Sequence, residues 1–544
     1  MFTYLHCYLP ETWDAQERAG LIRAQDGIRY CQSIEIDEKY KFNNMAKKGG
    51  TFYNMVKERR CPMYIDRLQG GCYIEDYPYD MSLIGEYKAL LGDNFWGFQM
   101  HEWMSNYASD LHKVIDHNCP EWTEEAITET VRRAYPFPYL FLESMNAREF
   151  AEAGKPTDTE SFLSITENLF AKRQKYTNGM LVPCDSYCLA YPLELEHGAK
   201  RLMPEVGAQT PDTRVQVAFA RGMAKAYRVP FGTYYEPWGG KPFSACCYQK
   251  DGLNEWGIGG SADFPFQTAG GNGGSSRSLQ RRIHLYSYVA GASFMAEEWG
   301  MCNTFYDWKD YALTPYGEVK RDFLRFTERY PDIGALLTPI AVVLPAHFKV
   351  LENIHTDALA YVGYPYEGTA GETVRAVRQG IRRLFASSSP MAGDETASLR
   401  NCLVPDALDI VTADAVRSED YAYFVDLTGD AAFAAQYRGK IIGIDEVPAR
   451  LDALLPCTFD GSALKLVSSA ADGGYYVLLL NNSGVCRSVA DGETLMPGEG
   501  TTVRVSVKGE RSLTLCEGDA SLSRGDDGVY TVDIPAGGWF FGKI

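Results

Sequence analysis

FWGFQMHEW, residues 95–103, is an apolar, aromatic-rich run of strand length that ends on His101, Glu102 and Trp103. Runs of this kind read as strands, and one buried along most of its length reads as part of a parallel sheet. VPFGTYYEPW (229–238) and ASFMAEEWG (292–300) end the same way, on Tyr235-Glu236-Pro237-Trp238 and on Glu297-Glu298-Trp299. Five more runs extend the series: FTYLHCYL (2–9), IRYCQSIEI (28–36), PMYIDRL (62–68), PYLFLES (138–144) and GMLVPCDSY (179–187). Stretches with helical periodicity lie between them, among them SLIGEYKALLG, EEAITETVRRAY, DTESFLSITENLFAKRQKY, TRVQVAFARGMAKAY and SLQRRIHLYSYVAG. Eight β-α units over roughly 330 residues predict an α/β chain that begins with a (β/α)8 TIM barrel.

After Pro339 the texture changes. IAVVLPA, ETVRAVRQGIRRLFA, ALDIVTADA, YAYFVDLTG and KIIGIDEV spell a smaller α/β unit. From Leu455 onward the helical period is gone, and short strand-like runs alternate with Gly, Asp and Asn turns, which predicts a β-sandwich. The expected domains are a barrel over 1–337, an α/β domain over 338–454 and a sandwich over 455–544. The Gly-rich stretch 257–278 follows the seventh run. It lacks a GK[ST] ending and a GxGxxG in a βαβ setting, so it reads as a loop on the barrel's top face rather than a phosphate cradle.

Composition narrows the function. The 544 residues are 45% hydrophobic and 23% charged, which is ordinary globular composition. With 53 Lys and Arg against 71 Asp and Glu the net charge is −18, and no long basic run appears, which argues against nucleic acid or an anionic membrane as partner. The opening MFTYLHCYLPETWD has no signal-peptide pattern and no window is apolar enough to span a bilayer, so a cytoplasmic protein is expected. The 14 cysteines fit neither a disulfide framework nor a paired CxxC zinc pattern, and the eight histidines form no HxH or HExxH. Neither a metal nor another cofactor is expected.

In a barrel of this kind the working groups sit at the C-terminal strand ends. Here those ends carry Asp66-Arg67, His101-Glu102-Trp103, Glu143, Asp185, Tyr235-Glu236-Pro237-Trp238 and Glu297-Glu298-Trp299. Carboxyl groups in pairs beside aromatic rings suit cleavage of a glycosidic bond, in which one carboxyl protonates the leaving oxygen and another attacks the anomeric carbon or activates water. Aromatic rings stack on sugar faces and raise the pKa of a neighbouring acid. Asp66, Arg67, His101, Trp103, Glu143, Asp185, Tyr235, Trp238, Glu298 and Trp299 are the expected substrate-binding residues.

A Glu ending strand four and another ending strand seven resembles the clan of retaining (β/α)8 glycoside hydrolases. The resemblance implies that Glu102 is the acid/base and Glu236 the nucleophile; Glu143 and Glu298 are the respective alternatives. The order of domains is similar to that of the family 42 β-galactosidases, whose middle domain resembles a glutamine amidotransferase. It implies a retaining hydrolase that removes a terminal, β-galactoside-like sugar, and it favours a trimer. Exo action on oligosaccharides or small glycosides is expected because an intracellular hydrolase seldom meets polymers and long loops could close the site, and the middle and C-terminal domains offer surface for a homo-oligomer, a dimer or trimer. This chain departs from the clan in having His101 where most members have Asn before the acid/base, although mannanase-like members carry a His-Glu pair. Its middle domain has one cysteine, Cys402, outside any nucleophile elbow, so no amidotransferase activity is expected. The other readings are a carbohydrate-binding pseudoenzyme and a transglycosylase or phosphorylase on the same scaffold.

Overall fold

The computed structural model describes residues 2–30, 39, 41–66, 78–134, 142–207, 210, 212–236, 276–298, 304–305, 310–352, 354, 363–365, 368–386, 398–486 and 493–544. Eight parallel strands close on themselves in chain order: β1 (Thr3–Tyr8), β2 (Gly27–Tyr30), β3 (Met63–Ile65), β4 (Phe95–His101), β5 (Leu181–Asp185), β6 (Met203–Gly207), β7 (Thr233–Glu236) and β8 (Phe294–Glu297). β8 pairs back onto β1, with Phe294 opposite Thr3. Alternate side chains divide between two cores, as a period of two requires. Leu5, Tyr64, Trp96, Val182, Cys184, Met203, Tyr234, Phe294 and Ala296 pack together inside the barrel. Their neighbours, such as Tyr4, Ile65, Phe98, Leu181, Val206, Tyr235 and Met295, pack outward.

In β4 this alternation changes phase. Met63 pairs with Phe95 but Tyr64 pairs with Gly97, a register shift that marks a bulge. Gly97 has φ 103°, and a Cβ there would sit 2.1 Å from the carbonyl oxygen of Met180. Only glycine serves at this point. The extra residue moves Phe98 and Met100 to the outer core and turns Gln99 and His101 toward the lumen.

The barrel helices begin where the sequence supplies caps. Asp158 accepts from the Ser161 N–H ahead of α2 (Thr159–Tyr176), Ser276 from Leu279 ahead of α4 (Arg277–Val289), and Thr314 from Gly317 ahead of α5 (Pro315–Arg329), at 2.8, 3.0 and 3.1 Å. α1 (Trp103–Ile115) and α3 (Thr213–Tyr227) start instead from residues with left-handed backbone, Glu102 and Asp212.

Two strands differ from the sequence expectation. Of PYLFLES, residues 138–141 lie outside the described residues, and in the closed wall β4 pairs directly with β5, Phe98 opposite Leu181 through His101 opposite Cys184. Residues 142–144 form a bend outside the wall, where Asp110 of α1 accepts from the N–H groups of Glu143 and Ser144 at 2.9 and 2.8 Å. The missing member is β6, whose sequence MPEVG carries Pro204 and Gly207, residues that ordinarily argue against a strand. One strand fewer before β5 and one more after it leave the total at eight, with Glu236 still at the end of the seventh. The stretch 257–275 lies outside the described residues.

Beyond the barrel the chain forms further sheets. A parallel four-stranded sheet has the order β10 (Leu408–Thr412), β9 (Ile340–Leu344), β11 (Tyr423–Asp426), β12 (Ile441–Ile442), with α6 (Gly368–Phe385) between β9 and β10 in sequence. Two antiparallel sheets follow. One contains β13 (Cys457–Asp460), β16 (Thr501–Val507), β19 (Tyr530–Ile534) and β18 (Ser521–Arg524). The other contains the two-residue strand Ala335–Leu336, then β14 (Leu464–Ser469), β15 (Tyr475–Leu480), β20 (Trp539–Lys543) and β17 (Thr514–Gly518). Along β15, Val477 and Leu479 enter the core between the two sheets, while Leu478 and Leu480 join the core that runs through the barrel helices. No described helix is long and apolar enough to cross a membrane.

Candidate active site

At the C-terminal end of the barrel the last inward positions of five strands meet: His101 on β4, Cys184 on β5, Glu205 and Gly207 on β6, Glu236 on β7 and Glu298 just past β8. All but the glycine bring a polar or ionisable group into a lumen from which water is largely excluded. His101 is the centre of this set. Its Nε2 lies 3.4 Å from Glu102 Oε2, 3.4 Å from Glu298 Oε1 and 3.9 Å from Glu205 Oε2. On the other side of the ring, the Gln99 amide meets Nδ1 at 3.3 Å.

Glu102 is aimed by its backbone. His101 is the last inward residue of β4, so in extended conformation the next side chain would face the wall. At φ 45° and ψ 35° Glu102 leaves the strand and brings its carboxyl back over the mouth, where Ser186 Oγ donates to Oε1. A non-glycine residue held there stores strain of roughly 1–3 kcal/mol, as is common at working sites.

Glu236 is buried and lies across β6, so that a Cβ added to Gly207 would come within 2.1 Å of its Oε1. Tyr187 joins the acids together. Loss of solvation raises its phenol well above the ordinary value, and the nearby charges of Glu236, Glu102 and Glu205 raise it further. The two outer glutamates of β8 separate as strand alternation predicts. Glu298 turns to His101, whereas Glu297 points outward to Lys320 Nζ at 2.8 Å and His284 at 3.4 Å. Burial alone would raise the Glu297 pKa, but Lys320 and His284 hold it well below the usual carboxylate range.

Among the other expected binding residues, Asp66 reaches the lumen in the grip of Arg29. The buried Arg29 guanidinium donates to Asp66 Oδ2 at 2.5 Å and to the Glu297 carbonyl at 2.6 Å, and stacks 5.1 Å from the Tyr234 ring. Asp185 lies just behind the site. Its Oδ2 accepts from the Ala190 N–H at 3.1 Å, and burial raises its pKa to about 7 although the hydrogen bonds of Glu194 and Ala190 pull it down.

Three residues fall elsewhere. Trp103 is fully buried against Phe170 and donates its indole N–H to Glu194 at 2.9 Å, so it packs the wall and presents no face to a sugar. Tyr235 points outward onto His284. Glu143 lies beside Asp110, about 10 Å along α1 from the strand ends, with Lys113 3.7 Å from its carboxylate. Arg67, Trp238 and Trp299 lie outside the described residues.

The sequence reading missed Glu205, Tyr187, Ser186 and Arg29. Glu205 was hidden with its strand. Arg29 sits mid-strand, where an arginine reads as solvent-facing. SY after Asp185 offered one usable signal, since hydroxyl groups at a strand end are within reach of the mouth.

His101, Cys184 and Glu205 each offer a ligand atom within 4.8 Å of the others, donor types that suit a divalent ion such as zinc. Cys184 is held as a thiol by burial, with the charge of Glu205 adding to the effect. The chemistry proposed below needs no ion there.

No protein-family model matches the chain, and no curated protein matches it. Among solved structures, α-L-fucosidase isoenzyme 2 from Paenibacillus thiaminolyticus aligns over 100% of this chain and 99% of its own, at 9% identity and a TM-score of 0.42. A debranching enzyme from Nostoc punctiforme aligns over 100% and 98%, at 10% identity and a TM-score of 0.23. The GH51 arabinofuranosidase from Xanthomonas axonopodis pv. citri aligns over 94% and 91%, at 10% identity and a TM-score of 0.19. Likenesses this slight carry no argument about activity.

Proposed function

We propose that the chain is a retaining glycoside hydrolase with Glu102 as acid/base and Glu236 as nucleophile. One observation carries the reading: Glu102, directly after β4, and Glu236, ending β7, both lie at the C-terminal end of the same barrel, Glu102 held by Ser186 past β5 and Glu236 lying against Gly207 of β6. In the first step the Glu236 carboxylate bonds to the anomeric carbon as the glycosidic C–O bond breaks, and the Glu102 proton passes to the departing oxygen. In the second, Glu102 takes a proton from water, whose oxygen displaces Glu236 and frees the sugar. Ser186, by donating to Glu102, holds the carboxyl in place for both transfers. His101 brings Glu102 and Glu298 to one ring nitrogen, so it is a positioning residue in this scheme. Exo action on a terminal, β-galactoside-like sugar is the finer reading; the sugar rests on the family 42 likeness in domain order, and exo action on the expectation of an intracellular enzyme with long loops around its site.

Hydrolysis of a panel of activated aryl glycosides by wild type, Glu102→Ala and Glu236→Ala tests the assignment. Glu236→Ala should lose turnover on every substrate. Glu102→Ala should lose least where the leaving group is best, because a good leaving group needs little protonation. Retained turnover in Glu236→Ala would overturn the nucleophile assignment. A wild type that binds sugars and cleaves none would favour the carbohydrate-binding reading.

A further inference from the structure

β4, β5 and β6 lie side by side in the barrel wall, and their last inward positions gather an imidazole, a thiol and a carboxyl group. His101 stands opposite Cys184 across the β4–β5 ladder, so the two side chains share the lumen face. Cys184 in turn stands opposite Met203 on β6, and Glu205 comes two residues later, on the same face again. All three residues are buried, and a ligand atom from each lies within 4.8 Å of the other two. No CxxC or HxH spacing announces this set, because its members come from three separate strands.

Donor types and distances both suit zinc. Bonds of about 2.0–2.3 Å from zinc to nitrogen, oxygen and sulfur, arranged as a tetrahedron, put the ligand atoms about 3.4–3.6 Å apart. His101 Nε2 is 3.9 Å from Glu205 Oε2, and no edge of the triad has to close by more than about 1.4 Å to reach that spacing. Glu298 Oε1, 3.4 Å from the same nitrogen, is already at the spacing of a fourth ligand. A thiolate beside an imidazole selects zinc over magnesium or calcium, which take oxygen ligands. Charge favours a dication as well. Glu102, Glu205 and Glu298 all lie within 3.9 Å of His101 Nε2, whereas the buried cations Arg29 and Lys320 are paired with Asp66 and Glu297. The far side of the ring is also provided for. Gln99 is buried and meets Nδ1 at 3.3 Å, so Nε2 is the nitrogen that faces the acids. An imidazole that binds metal through Nε2 carries its hydrogen on Nδ1. The Gln99 amide can turn its Oε1, which has no hydrogen-bond partner among the described residues, to accept that hydrogen.

We propose that His101 Nε2, Cys184 Sγ and Glu205 bind one zinc ion in the barrel lumen, with Glu298 as the fourth ligand. On binding, the Cys184 thiol releases its proton to solvent and becomes the thiolate ligand, while the ring hydrogen of His101 moves from Nε2 to Nδ1. The site goes beyond the glycosidase reading and does not depend on it.

The full chain, stripped with a chelator, would be loaded with zinc, desalted and analysed for metal content. It should retain one zinc per chain, and X-ray absorption at the zinc edge should show one sulfur at about 2.3 Å among nitrogen and oxygen neighbours at about 2.0–2.2 Å. Cobalt loaded in place of zinc should give a thiolate charge-transfer band in the near ultraviolet, and Cys184→Ser should lose it. Glu205→Gln should bind zinc at least about tenfold more weakly than wild type. Circular dichroism checks that both variants fold. Should Cys184→Ser fail to fold, the sulfur count in wild type and the affinity of Glu205→Gln carry the test. A chain that retains no zinc, an ion with no sulfur neighbour, or a folded Cys184→Ser that keeps the charge-transfer band would overturn the site. So would a folded Glu205→Gln that binds zinc within about twofold of wild type. None of these readouts involves turnover, so failure of the site and failure of the glycosidase reading are told apart.

Discussion

The conformation of Glu102 links backbone strain to chemistry at the scale of a single residue. The Gly97 bulge brings His101 into the lumen, and the left-handed turn at Glu102 then lets the next side chain face the same space, which an unbroken strand forbids. Two adjacent residues thereby serve one site. The strain this requires can be measured separately from the loss of the carboxylate. Glu102→Gly and Glu102→Ala both remove the acid, but only glycine adopts φ 45° without penalty. Glu102→Gly should be the more stable by about 1–2 kcal/mol in urea unfolding, and equal midpoints would mean that the backbone is not strained there.

At the scale of elements, β6, which brings Glu205 to the site, was the part of the barrel hardest to read. The strand ends of β4, β7 and β8 were legible because long aromatic runs stop abruptly at glutamates. β6 was not, since Pro204 and Gly207 imitate a turn, and closure of the barrel supplies the pairing that propensity does not. Of PYLFLES, Leu142 is the one described apolar side chain, and it packs in the outer core rather than in the ladder. Trp103 reads in sequence as a strand-end residue because it follows Glu102, but it opens α1 and its ring packs behind the wall against Phe170. Its partner Glu194 and the nearby Asp185 are both buried, and burial raises both carboxyl groups, Asp185 to about 7. An unfolded chain has ionised Asp185 by about pH 4. Between that point and about pH 7 the folded protein holds a proton that the unfolded chain has released, so this contribution to stability falls as pH rises through the window. Wild type should therefore lose up to about 1.4 kcal/mol per pH unit there, and Asp185→Asn should lose part of that slope. Parallel pH profiles of urea unfolding for the two proteins check it.

At the scale of the whole molecule, α3 is the element on which the barrel and the parallel sheet meet. Twelve of its fifteen residues are buried, and Gly222 lies so close to β10 that a Cβ would sit 2.0 Å from the Ile410 carbonyl oxygen. One buried acid ties the junction. Asp409 of β10 accepts from Arg221 at 2.6 Å, Lys225 at 2.7 Å, Thr338 at 2.8 Å and Tyr421 at 3.0 Å. Burial would raise its pKa, but Arg221 and Lys225 hold it below the ordinary value. Asp409→Ala would leave Arg221 buried without its carboxylate and should destabilise the protein by about 3–5 kcal/mol in urea unfolding. A loss under about 1 kcal/mol would show that water reaches the junction.

The covalent step is the central claim, and trapping it is the most direct test. Wild type would be inactivated with a 2-deoxy-2-fluoro glycoside of the sugar it hydrolyses, digested with protease and mapped by mass spectrometry. The account predicts one adduct, on Glu236. An adduct on Glu298, or no inactivation and no adduct while the enzyme releases product of inverted anomeric configuration, would contradict it.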